Sequence, residues 1–122
     1  MSTTVIGIFA DDKVEKYIFE KAMEKYEHKI EFYVFSTPEE GLMRAKEIHF
    51  DVVFIEIHYW GETFGGFSIL TELKKVLNKP TIAVGMTSLM QEGDLEKMIN
   101  AGFHLCIEKP LAFESIGAFA SK

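Results

Sequence analysis

Cysteine is nearly missing from this chain: Cys106 is the single one in 122 residues, so neither a disulfide framework nor a cysteine-rich metal site can be built within one molecule. A reducing, intracellular setting is the expected one. An excess of basic residues is missing too. Thirteen Lys and Arg stand against 19 Asp and Glu, a formal charge of −6, and the lysines alternate with acids, as in Lys13-Val14-Glu15-Lys16. That pattern argues against a nucleic-acid-binding face. No apolar run approaches the ~18 residues that would suggest a membrane span. The opening Met1-Ser2-Thr3-Thr4 has neither the charged nor the apolar region of a signal peptide. A cytoplasmic protein without membrane contact is therefore expected. Linkers, repeats and low-complexity stretches are absent as well, and 48% apolar residues in a chain of this length suffice for one core but not two. One domain over 1–122 follows as the expectation.

What is present is a regular alternation. Val5 to Ala10 is apolar throughout, as a strand covered on both faces must be. From about Asp12 to Tyr26, Val14, Tyr17, Ile18, Ala22 and Tyr26 share one side, which predicts an amphipathic helix. Glu31 to Phe35 reads as a strand. Thr37-Pro38-Glu39-Glu40 supplies a helix start, with a cap, a proline in the first turn and a glutamate three residues on, and this helix is expected to run to about Ile48. Asp51 to Ile57 is the most strand-like run. A Gly-rich aromatic loop, His58 to Gly66, separates it from a helix on Phe67, Leu70, Leu73 and Leu77. Pro80 to Val84 is expected to form the fourth strand, followed by a helix around Leu95, Met98 and Ile99 closed by Gly102. His104 to Ile107 reads as a fifth strand, and a short last helix holds Phe113, Ile116 and Phe119.

Five βα units with short connections call for a parallel sheet with helices on both faces. In such folds, sites collect at the C-terminal ends of the strands. The residues that matter are then Asp11 and Asp12, Glu56, Gly85 and Lys109.

Two stretches in this order, DVVFIEIHYWGETFGG (51–66) and INAGFHLCIEKPL (99–111), resemble the third-strand and fifth-strand segments of response-regulator receiver domains, the chemotaxis-regulator-like family of bacterial two-component signalling. The resemblance covers essentially the whole chain. It implies a doubly wound (βα)5 sheet of five parallel strands with flavodoxin-like topology. It also implies a site made of an aspartate nucleophile, an acidic pair for magnesium, a hydroxyl after strand four and a lysine. Magnesium is a hard ion suited to oxygen ligands, and it neutralises charge on the phosphoryl oxygens. A lysine adds a fixed positive charge.

Matched residue by residue, Lys109 and Pro110 retain the lysine signature, while Glu56 stands at the phospho-accepting position and Gly85 at the hydroxyl position. Asp11 and Asp12 are either the acidic pair or helix-capping residues, and an ungapped match puts Phe9 and Ala10 there instead. Cys106 matches the aromatic that often rotates on activation. The extra methylene of Glu56 moves its oxygen out of the attacking position. The expectation is thus a pseudo-receiver: a phosphorylation-independent interaction module, not an enzyme, with no resident cofactor. It would dock a histidine kinase, an output domain or a localisation factor through the face of helices four and five or the aromatics His58, Tyr59, Trp60 and Phe64. Two alternatives compete with it. One is phosphorylation on a noncanonical residue with Mg2+. The other is a cobalamin or flavin module, since Glu56 to Gly61 nearly matches an Asp-x-His-x-x-Gly motif, although nothing Gly-rich follows strand one to hold a phosphate-bearing cofactor. The short last helix, ending at Ser121-Lys122, fits a piece cut from a longer protein.

Overall fold

The structure, a computed structural model, describes residues 4–10, 13–26, 30–58, 65–77, 80–88 and 90–108; for 13–15, 22, 23 and 26 it describes the backbone alone. The elements are β1 (Thr4–Phe9), α1 (Lys13–Tyr26), β2 (Ile30–Phe35), α2 (Pro38–Ala45), β3 (Val52–Glu56), α3 (Gly65–Val76), β4 (Ile82–Thr87), α4 (Asp94–Ala101) and β5 (Leu105–Glu108). The strands form one sheet in the order β2-β1-β3-β4-β5, every neighbouring pair parallel. This is the doubly wound arrangement the alternation predicts. The expected last helix, on Phe113, Ile116 and Phe119, lies outside the described residues, and no helix among those described is long and apolar enough to cross a membrane.

Strand side chains alternate between two apolar cores. Ile6, Ile8, Phe32, Phe54, Val84 and Met86 pack on one face with Phe19 of α1. Phe9, Val53 and Ile55 pack on the other, with Leu70 and Leu73 of α3 and Met98 of α4. Every residue of β3 is buried, as expected for a strand covered on both sides. α2 starts as predicted: the Thr37 side chain accepts from the Glu40 N–H at 3.2 Å, with Pro38 in the first turn. The helix ends at Ala45, short of Ile48, and Phe50 beyond it is fully buried beside Gly7 of β1. α4 ends as predicted on Gly102, at φ 113°.

Two expectations are corrected. α1 is rotated relative to the predicted apolar side. Tyr17 is 58% exposed, while Phe19 is fully buried against Phe32 and Phe54. β4 runs three residues past Val84, to Thr87, because its register is set from the other end. The Ile82 N–H donates to the Asp51 carbonyl at 3.0 Å, Val52 pairs with Ile82, and Glu56 then falls beside Met86.

Candidate functional site

Among the described residues, the buried polar or charged ones are Glu56 and Thr87, 7% and 2% exposed. They lie on adjacent strands. Glu56 ends β3 and pairs with Met86, and Thr87 follows Met86 as the last residue of β4. An interior carboxylate and hydroxyl persist only where partners offset desolvation, and neither of these residues lacks one. Both of these residues thus lie at the C-terminal edge of the neighbouring strands β3 and β4, the edge where ligands of open α/β sheets bind.

Local chemistry builds this edge. β3 continues one residue past Glu56: the Ile57 N–H donates to the Met86 carbonyl at 2.8 Å, and the Ile57 carbonyl accepts from Gly66 N–H at 2.8 Å. Gly66 lies so close that a Cβ there would stand 2.5 Å from the Glu56 carbonyl oxygen. Glycine at the start of α3 is what lets the helix seat on the strand end. On the β1 side, Ala10 follows the last paired position, Phe9 beside Ile55, and is itself buried. On the other side, Thr87 pairs with Glu108, the residue before Lys109 in the chain.

The structure moves one sequence-predicted site residue. Gly85 does not end strand four. It sits within β4 beside Ile55, and a Cβ there would meet the Met98 methyl at 2.5 Å and Ile57 at 3.1 Å, so it serves the approach of α4. The hydroxyl at the strand end belongs to Thr87, two residues further on. A signal was available: Gly85 is followed by Met86-Thr87, a strand-compatible pair, and nothing before Ser88 demands a turn.

Asp11, Asp12, Tyr59, Trp60, Phe64, Lys109 and Pro110 lie outside the described residues. His58 is exposed in the turn after β3. Cys106 is half-buried and packs against the α2–α4 core, and burial pushes its thiol above the ordinary range, which disfavours the reactive thiolate. Among the described residues no group of three or more His, Cys, Asp or Glu side chains could hold a metal ion.

No family model matches the chain, and no curated protein does. Solved structures do. A CheY-like response-regulator receiver domain from Methylobacillus flagellatus is 18% identical, with TM-score 0.79 and 98% of each chain covered. Chemotaxis protein CheY4 of Vibrio cholerae is 15% identical, with TM-score 0.82 and again 98% of each chain covered. The receiver domain of a sensor histidine kinase from Pseudomonas aeruginosa, solved with magnesium in its active-site cleft, is 15% identical, with TM-score 0.79 over 98% of this chain and 96% of that one. At these identities the likeness is one of fold. The protein has the receiver fold of response regulators.

Proposed function

We propose that this chain is a two-component receiver-type domain in which glutamate replaces the acceptor aspartate, and that it works by docking a signalling protein without phosphate control. The observation that supports the reading is that the two buried polar residues among those described, Glu56 and Thr87, are the last residues of β3 and β4, at the C-terminal edge of the sheet. A receiver with this fold would keep its acceptor and hydroxyl there. The carboxyl group is present but one methylene too long for the in-line attack that phosphoryl transfer needs, and its added length takes up room that an incoming phosphoryl group would need.

Docking would use the outer face of α4. Leu95 and Ile99 are 54% and 46% exposed and, four residues apart, share one stripe of the helix. Glu92 and Glu96 beside them are exposed too. An apolar stripe flanked by acids suits a basic, amphipathic segment of a kinase, output domain or localisation factor.

Thr87 favours a second reading, in which the domain still takes a phosphoryl group with Mg2+ held by Asp11 or Asp12, because it supplies the hydroxyl expected to be missing. Intact mass after incubation with acetyl phosphate and Mg2+ separates the two, with Glu56→Asp run in parallel. The expected result is no adduct on the native chain and one phosphoryl group on Glu56→Asp, since the shorter side chain restores the acceptor that the resemblance implies. A stoichiometric adduct on the native chain would overturn phosphate independence. If neither form is modified, the edge is not a receiver site.

A further inference from the structure

At the opposite end of the sheet, α3, β4 and the residue before β5 border an open cavity of about 260 Å3 that the acidic edge does not use. We propose that this cavity binds a small aliphatic carboxylate.

Its inner wall is hydrocarbon. Val53, Leu70 and Ala83 form its floor, 0–3% exposed, and the more accessible hydrocarbon of Leu77 and Pro80 borders it. A short branched chain laid on them would leave water at roughly 25 cal/mol per Å2 of apolar surface. Among the described residues, the polar side chains at the cavity are Lys74, Thr81 and His104, and none is acidic. In a chain of net charge −6, this is a local reversal of sign.

Each of the three polar groups has a defined state. Lys74 makes no ion pair with a described residue, whereas Lys75 beside it is paired to Glu72 at 3.1 Å. A Cβ on Gly102 would collide with the Lys74 ammonium, so the charge lies against the C-terminal end of α4, where the helix dipole favours a cation. That placement holds it beside the cavity. His104 accepts the Ala83 N–H on Nδ1 at 3.0 Å; a neutral imidazole that accepts there carries its proton on Nε2, which leaves a donor. Thr81 donates its hydroxyl to the Phe50 carbonyl at 2.7 Å. The site therefore offers a positive charge and an imidazole N–H above an apolar wall. A carboxylate head with a hydrocarbon body complements both through charge-assisted hydrogen bonds and burial. Lys74 repels a cationic head, and a neutral one forfeits the charge.

The test is an amide-resolved NMR titration of the full chain with 4-methylpentanoate, with 4-methylpentanamide as the uncharged isostere. Saturable shifts are expected at the Val53, Leu70, Ala83 and His104 amides, with Glu56 and Thr87 unmoved. The amide and the Lys74→Met variant should each weaken binding by about tenfold or more. Lys74→Met keeps the aliphatic stem, and its own spectrum reports its folding; the isostere comparison needs no variant. Absence of saturable shifts at millimolar acid, equal binding of acid and amide, unchanged binding by folded Lys74→Met, or shifts centred on Glu56 would each overturn the proposal.

Discussion

Gly66 joins helix, strand and acidic edge at a single backbone contact. Its strain would be steric rather than conformational, since a Cβ would be forced to within 2.5 Å of the Glu56 carbonyl oxygen and 3.0 Å of Ile55 Cγ2, and a backbone oxygen cannot swing aside as a side chain can. Gly66→Ala is expected to destabilise the fold by about 1–3 kcal/mol through overpacking, measured as a lower urea midpoint with an unchanged slope. Gly85 makes a contrast at the same scale. The nearest atom to its virtual Cβ is the mobile end of Met98, so part of that clash can relax. Both glycines flank the polar pair and neither supplies chemistry; they set how closely α3 and α4 approach it.

On the scale of elements, α1 illustrates how a helix's inward side is chosen by what it meets. Phe19 lies between Phe32 and Phe54, with ring centroids at 5.9 and 5.3 Å. Tyr17 turns outward, with Lys21 Nζ 5.5 Å from its ring centroid. Phe19→Ala should cost about 3–5 kcal/mol, the usual loss for emptying a buried aromatic site. Tyr17→Ala should stay within about 0.5 kcal/mol. Denaturant titration of the two variants checks the assignment, and comparable losses would mean the helix faces the sheet as its apolar periodicity alone predicts. β4 carries the parallel lesson. Its N-terminal end is tied to Asp51, whose side chain also accepts the Val5 N–H at 2.8 Å, and that tie brings Thr87 level with the strand ends.

Considered as a whole, the molecule is most deeply buried along β3 and least along its edge. All five residues of β3 are buried, whereas β5 contains none that is. Local opening requires little at an exposed edge and close to global unfolding at the centre. Native-state hydrogen exchange should therefore find the Val53 to Ile55 amides exchanging with the free energy of global unfolding, and those of β5 exchanging faster. Uniform protection across the sheet would contradict this gradient. The acidic edge lies at the well-protected end of β3, which suits a site whose carboxylate is held in place.

Much of this was legible in the chain without coordinates, because it rests on local chemistry. Apolar runs such as Val52 to Ile55 announce buried strands, Thr37-Pro38 a helix start and Gly102 a helix end, and their alternation leaves few topologies open. Glu56 stood out because it closes the third strand, where sites of such folds collect, and because it falls at the acceptor position of the family the chain resembles. The inward side of α1 and the end of β4 were beyond such reading. A helix with apolar residues on several sides does not state which of them meets the sheet, and a parallel strand takes its register from a partner some thirty positions away in the chain, here Asp51 to Ile82. That long-range pairing, invisible to periodicity, put Thr87 rather than Gly85 at the C-terminal end of β4, one residue past the partner of the buried glutamate.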